Sequence, residues 1–187
     1  MNDPFFFGYG SLVNRATHVY PDGHRATLTG WRREWRYAPD FGHTFLSVVP
    51  DAGSVIDGLI ARVPGGDWAA LDARETGYAR HPVAQGALVH AAPFSVSVQV
   101  YAVPETASSR ALGEVPILRS YLDVVAAGFF AEYGADGVAR FFASTTGWAD
   151  IRDDRAAPLY PRAQVVLPEV SALVDAFITA KGLIVQR

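Results

Sequence analysis

The sequence predicts an α+β fold: a mostly antiparallel sheet, strongly bent or closed as a barrel, followed by a helical C-terminal half. Three observations carry this. Short β-rich runs separated by turn residues fill positions 5–103, whereas after Pro104 apolar residues recur at helical spacing. The chain has 187 residues, 50% of them hydrophobic, enough for one ordinary domain with a real core. No repeat, low-complexity tract or charge-defined linker divides it, so a single domain over residues 1–187 is expected.

Phe5 to Tyr9 is the first strand, short and apolar throughout. Arg25 to Tyr37 contains the second, in which Trp31, Trp35 and Tyr37 share one face by two-residue alternation, a spacing that usually makes core. Thr44 to Val49 and Ser54 to Val63 are β-rich runs split by Pro50-Asp51-Ala52-Gly53, whose proline and glycine predict a hairpin turn. Asp67 to Glu75 switches to helical character, with Asp67 as N-cap and Gly77 as the stop. Two more strands follow around Val83 to His90 and Phe94 to Val103. Pro116 to Tyr133 carries Ile117, Tyr121, Val125 and Phe129 at i, i+4, i+8 and i+12, the stripe of an amphipathic helix lying on the sheet. A short helix over Gly137 to Ser144 and another over Val170 to Lys181, ending at Gly182, complete the chain. Between them Gly147 to Arg162 is rich in charges, prolines and turn residues and long enough for a functional loop.

Composition removes several chemistries. The chain has no cysteine, which excludes a thiol nucleophile, disulfides and thiolate metal sites together. His18, His24, His43, His81 and His90 form no ligand pair of metal-site spacing, so no metal is expected. With 19 acidic against 16 basic residues the net charge is −3 and no basic stripe is evident, which argues against nucleic acid as a partner. Met1-Asn2-Asp3-Pro4 lacks the positive start of a signal peptide, and no apolar run approaches the ~20 residues that cross a bilayer. Cytoplasmic residence without a membrane partner is the expectation.

Two places remain as candidates for chemistry. In Phe7-Gly8-Tyr9-Gly10-Ser11-Leu12 a strand runs into a glycine-bracketed turn, where positive φ and close approach would let consecutive N–H groups converge on an anion. It is not a dinucleotide fingerprint, because Val13 stands where the third glycine belongs, and it lacks a P-loop Lys-Ser/Thr pair, so no nucleotide cofactor is expected. An ordinary strand followed by a tight turn also accounts for it. In Arg74-Glu75-Thr76-Gly77-Tyr78-Ala79-Arg80 a carboxylate ends a short helix. Periodicity alone favours a surface ion pair of Glu75 with Arg74 or Arg80; the alternative is a carboxyl desolvated among aromatics and raised in pKa to act as a general base.

Taken in order, the Tyr-Gly-Ser-Leu turn after the first strand, the Arg-Glu followed by Gly-Tyr, and Tyr121 on the first long helix resemble the γ-glutamylcyclotransferase superfamily, which includes ChaC-type glutathione-degrading enzymes and γ-glutamylamine cyclotransferases. The resemblance runs from Phe5 to the helix of Tyr121. It implies a compact, mixed, mainly antiparallel β-barrel with flanking helices, and conversion of a γ-glutamyl amide or peptide to 5-oxoproline with release of an amine. It also implies that the turn Tyr9, Gly10, Ser11 and Leu12 holds the substrate carboxylate, that Glu75 is the catalytic acid–base, and that Tyr121 binds in the pocket. A small-molecule γ-glutamyl substrate would be the only partner, and no cofactor is implied. ChaC-type proteins carry a tryptophan shortly after the turn, whereas this chain continues Val13-Asn14, so glutathione does not follow as the substrate. Arg155, Tyr160 and Arg162 stand either as pocket gates or as a solvated charged loop. Two other readings compete: a binding module for a small amino-acid-like ligand without turnover, and a hydrolase using Ser11, which lacks the G-x-S-x-G elbow.

Overall fold

Phe5-Phe6-Phe7 is apolar at every position because its strand is covered on both faces. Phe5 and Phe7 enter the main core, while Phe6 points the other way into a second cluster with Leu12, Ala61, Val63, Leu71 and Tyr101. This geometry comes from a computed structural model of the chain, which describes residues 3–37, 44–104, 108–110 and 115–186. His43 lies outside the described residues.

In chain order the elements are β1 (Phe5–Gly8), β2 (His24–Tyr37), β3 (Thr44–Arg62), α1 (Ala69–Arg74), β4 (Ala79–Pro82), β5 (Leu88–His90), β6 (Val98–Ala102), β7 (Ser109–Arg110), β8 (Ile117–Leu118), α2 (Arg119–Ala143), β9 (Thr145–Thr146), β10 (Ile151–Arg152), α3 (Pro168–Lys181) and β11 (Val185–Gln186). The main sheet runs β4-β6-β1-β3-β2-β5, with β7 and β9 added to β2. The β1–β6 and β2–β9 pairs are parallel; the others are antiparallel, so the α+β class and mainly antiparallel sheet hold. The edge strands β4 and β5 are joined only by residues 83–87, which forces the sheet to curl until its edges approach. No ladder joins those edges among the described residues, so the barrel is incomplete.

The segment Pro50 to Gly53 is not a hairpin turn. β3 passes through it as one strand and pairs with β2 on both sides, the register stepping from Thr29↔Val55 to Trp31↔Pro50. Pro50 has no N–H for the ladder, and Asp51 folds the excess locally by accepting from Gly53 N at 3.2 Å while pairing with Arg32 at 2.7 Å. Opposite it, Gly30 takes φ +87°. This break shifts the core-facing parity of β2, so that Ala26 and Leu28 are inward before it and Trp31 and Trp35 after it. Tyr37 is partly buried at the strand's end.

The predicted run Val83 to His90 divides into β4, which starts earlier, and β5. Trp68 rather than Asp67 caps α1, although Asp67 Oδ1 accepts from Ala69 N at 3.0 Å. Ile117 belongs to β8, which with β10 and β11 forms a small parallel sheet. The two helices expected over 116–144 join as α2 around Gly134, whose φ of 68° and ψ of −168° break the helix. Val125 and Phe129 are fully buried against the sheet, whereas Tyr121 is turned toward a cleft. α3 stops at Gly182 in the left-handed conformation, as its sequence predicts. No helix among the described residues is long and apolar enough to cross a membrane.

Candidate active site

β1 delivers the glycine-bracketed turn to the open side of the sheet, where Ser11–Val13 winds into a single 3₁₀ turn. Val13 N donates to Gly10 O (3.0 Å) and Asn14 N to Ser11 O (3.1 Å). The amides of Gly10, Ser11 and Leu12 therefore have no partner within the turn, as at any helix start. The Ser11 amide faces the Tyr121 hydroxyl, an interaction that partly offsets the raising of that phenol by burial. Neither glycine uses positive φ, contrary to the sequence expectation. Their role is close approach: a Cβ on Gly8 would lie 2.7 Å from Leu12 Cβ, and one on Gly10 would lie 2.8 Å from Tyr121 Oη.

The turn is fastened from behind by Arg33, a fully buried guanidinium to which no carboxylate is bonded among the described residues. Its Nε donates to Tyr9 O at 3.0 Å, its Nη1 to Ser144 Oγ at 2.7 Å and its Nη2 to Asp57 O, while its Cζ lies over the Phe129 ring, 4.9 Å from the centre. Burial pulls its pKa down to about 9, which leaves it charged at neutral pH. The Tyr9 hydroxyl donates to Tyr101 O at 2.8 Å, so the tyrosine is a structural wall rather than a free donor.

Glu75 is the C-cap of α1, an element seated by the fully buried Leu71. Its N–H donates to Leu71 O (2.9 Å) and its carbonyl accepts from Tyr78 N (2.9 Å), after which Gly77 at φ +86° turns the chain into β4. This fixes the backbone of Glu75. The expected surface ion pair with Arg74 exists, at 3.2 Å, but it is not at the surface: the Arg74 and Glu75 side chains are only 8% and 16% exposed. Arg74 also donates to Ser11 Oγ (3.2 Å), Thr17 O (2.6 Å) and Thr17 Oγ1 (3.2 Å), and so couples the turn to the carboxylate. Arg80 pairs with Asp72 instead. Desolvation raises the Glu75 carboxyl above its ordinary range, and the charges of Arg74 and Arg162 only partly oppose this.

The cleft has two chambers. The outer, of about 230 Å³, is lined by Ser11, Arg74, Glu75, Tyr78, Tyr121, Tyr160 and Arg162 among others. The inner, of about 30 Å³, is lined by the turn residues Gly8 to Leu12 together with Glu75, Tyr78, Tyr101 and Tyr121. All six residues expected from sequence, Tyr9, Gly10, Ser11, Leu12, Glu75 and Tyr121, thus meet at one place. Burial raises the phenols of Tyr9, Tyr78 and Tyr121, so all three are neutral donors at physiological pH. No group of three or more acidic or histidine side chains suited to a metal occurs among the described residues.

Sequence reasoning gave Arg74 only a surface ion pair with Glu75 and assigned no role to Tyr78, although both lie in the segment it singled out. Tyr160 and Arg162, left open as gates or solvated loop, line the cavity, and Tyr160 stacks edge-on against Tyr121 at 4.9 Å. Arg155 does not reach it: its guanidinium is held by Asp123 at 2.6 and 2.7 Å and by Asp175.

A family profile described as ChaC-like protein matches residues 5–126. Among solved structures, the fold is similar to YkqA from Bacillus subtilis, at 17% identity and TM-score 0.59 over 74% of this chain and 52% of that one. The chain thus spans about half the length of that protein. It is also similar to a gamma-glutamyl cyclotransferase (12% identity, TM-score 0.57, 93% of this chain and 99% of the other) and to an uncharacterized protein from Homo sapiens (13%, 0.56, 94% and 99%). No curated protein matches the sequence significantly. At these identities the structural likeness is one of fold.

Proposed function

The chain belongs to the ChaC-like family, and from that premise we propose that it cyclises the γ-glutamyl group of a small amide or peptide to 5-oxoproline and releases an amine. The observation that carries this reading is the placement of Glu75, a desolvated carboxyl, against a turn whose first three amides are not used within it, the two linked by Arg74.

In this reading the turn takes the substrate's α-carboxylate, with Gly10 and Ser11 close enough to the cleft to bring backbone N–H groups to it. The α-amine is mostly ammonium at neutral pH and must lose a proton before its nitrogen attacks the γ-carbonyl carbon. Glu75, raised in pKa, accepts that proton. The new C–N bond closes the five-membered ring, the amide C–N bond breaks, and Glu75 returns a proton to the departing nitrogen. Over the whole reaction the α-nitrogen loses two protons in passing from ammonium to lactam N–H. The departing nitrogen gains two in becoming ammonium, the second exchanged with solvent. The substrate supplies its own nucleophile, so holding the chain folded for ring closure is a large part of the task. The neutral Tyr78 and Tyr121 hydroxyls border the same space and are suited to an oxyanion. Tyr78 is also hydrogen-bonded to Leu46 O at 2.9 Å, which leaves Tyr121 the better placed of the two.

The test is incubation with free γ-glutamyl amino acids, γ-glutamylamines and glutathione, with detection of 5-oxoproline. At least one class should yield it, and Glu75→Gln should lower kcat by roughly 100-fold or more. Ser11→Ala keeps every amide of the turn and should be mild, whereas a serine hydrolase would lose nearly all turnover. No 5-oxoproline from any class, with binding intact, would mark a binding module instead.

A further inference from the structure

Most of the described arginines have their carboxylate, Arg15, Arg32, Arg62, Arg119, Arg140 and Arg155 among them, and ten are ion-paired in all. Arg162 differs. It is partly buried and lines the outer cavity, yet among the described residues its guanidinium makes no ion pair and no hydrogen bond; only its carbonyl is used, by Gln164. Its charge acts on Glu75 without forming an ion pair with it, so the planar fork is left open and suits a carboxylate accepted through two parallel bonds.

The backbone that carries it is anchored on α2. Leu159 N donates to Asp154 Oδ2 (2.9 Å), Tyr160 N to Ser120 Oγ (3.4 Å) and Ala163 N to Tyr160 O (3.0 Å), and Asp154 is itself tied to Ser120. With the Tyr160 ring on Tyr121, this fixes the segment at the rim. Arg162 is absent from the lining of the inner chamber, where the turn lies, and present in the outer one beyond Glu75. If the γ-glutamyl half lies inward, the departing amine lies in the chamber of Arg162. Resting on the cyclotransferase reading, we propose that Arg162 binds a free carboxylate on the departing amine, so that the site prefers γ-glutamyl amino acids or peptides to uncharged γ-glutamylamides of the same size.

The experiment compares γ-glutamylalanine with γ-glutamylalaninamide, which differ only in that carboxylate, on the wild type, Arg162→Gln and Arg162→Lys. A charge-assisted pair corresponds to a preference of roughly 10- to 100-fold in kcat/KM for the acid, expressed mainly in KM. Arg162→Gln should bring the ratio close to one and Arg162→Lys should retain part of it. An unchanged ratio in Arg162→Gln overturns the proposal, and so does an equal loss on both compounds, which would mean that Arg162 acts only through Glu75. A second arm titrates both compounds calorimetrically into Glu75→Gln with and without Arg162→Gln. An Arg162-dependent preference there without any wild-type 5-oxoproline defeats the cyclotransferase reading and keeps the carboxylate site. Turnover without preference does the reverse, and absence of both binding and turnover defeats both.

Discussion

Alanine at position 10 is the sharpest probe of the turn, because the structure says what its methyl would meet. The new Cβ would lie 2.8 Å from Tyr121 Oη and 3.3 Å from Leu46 Cδ2, and the first contact is closer than a carbon and a hydroxyl oxygen tolerate. Gly10 sits at φ −127°, outside the left-handed region, so crowding is the operative cost. Overpacking of one methyl in a tight site destabilises by roughly 1–3 kcal/mol. Tyr121→Phe alone removes the hydroxyl that faces the Ser11 amide, a change worth at most about 1 kcal/mol. It also removes the atom that blocks the methyl, leaving only the looser Leu46 contact. The double variant should therefore be more stable than the sum of the single changes predicts, by roughly 1–2 kcal/mol. Gly8→Ala is the control: its Cβ would meet Leu12 Cβ at 2.7 Å and the Leu12 backbone carbon at 2.9 Å, neither of which Tyr121→Phe relieves. Urea denaturation of the wild type, the three single variants and the two doubles, analysed at constant m, measures both couplings. Additivity within about 0.5 kcal/mol for the Gly10–Tyr121 pair, or a rescue of Gly8→Ala as large, would refute the assigned contact.

Two further outcomes follow from protonation. Burial raises the Glu75 carboxyl, so the folded chain holds this proton to higher pH than the unfolded chain does. The contribution of the group to stability is therefore full below about 4.5 and is lost as pH rises through its folded value. Glu75→Gln should accordingly melt at or above the wild-type temperature at pH 7, with the difference closing toward pH 4; a variant less stable at pH 7 than at pH 4 relative to wild type would contradict the desolvated carboxyl. His18, which packs behind the turn with Nε2 3.2 Å from Leu12 O and Nδ1 accepting from Tyr20 N at 3.2 Å, is pulled by burial from 6.5 to about 4. Its neutral form supports the fold above pH 6.5, and that support is lost as pH falls through about 4, by at most ~3 kcal/mol. His18→Gln should flatten the acid limb of a stability-against-pH curve, and an unchanged limb would remove His18 from the account.

The sequence by itself determined what neighbouring residues decide. A fully apolar Phe5-Phe6-Phe7 reads as a buried strand, Val125 and Phe129 read as a helix stripe, and Gly182 reads as a helix stop, because each signal lies within a few residues of its consequence. The turn and Glu75 were legible as a pair only through their resemblance to a family, since nothing local places residue 75 beside residue 10. Local chemistry was also ambiguous where it was most emphatic: Pro50-Asp51-Ala52-Gly53 suits a hairpin and a strand bulge equally, and the choice fell to β2, whose long ladder with β3 continues on both sides of the break. The glycines of the turn were read through φ, but packing settled their role, because Tyr121 and Leu12 occupy the space a Cβ needs. Whether Arg74 and Glu75 form a solvated pair or a buried one depends on the cover supplied by the neighbouring Tyr78 together with Tyr121 and Tyr160, which arrive from a helix and a loop far along the chain. The same convergence brings Arg162 to the outer chamber. Spacing along a chain reports which face a residue occupies on its own element; how far its charge is removed from water is fixed only when separate elements close over it.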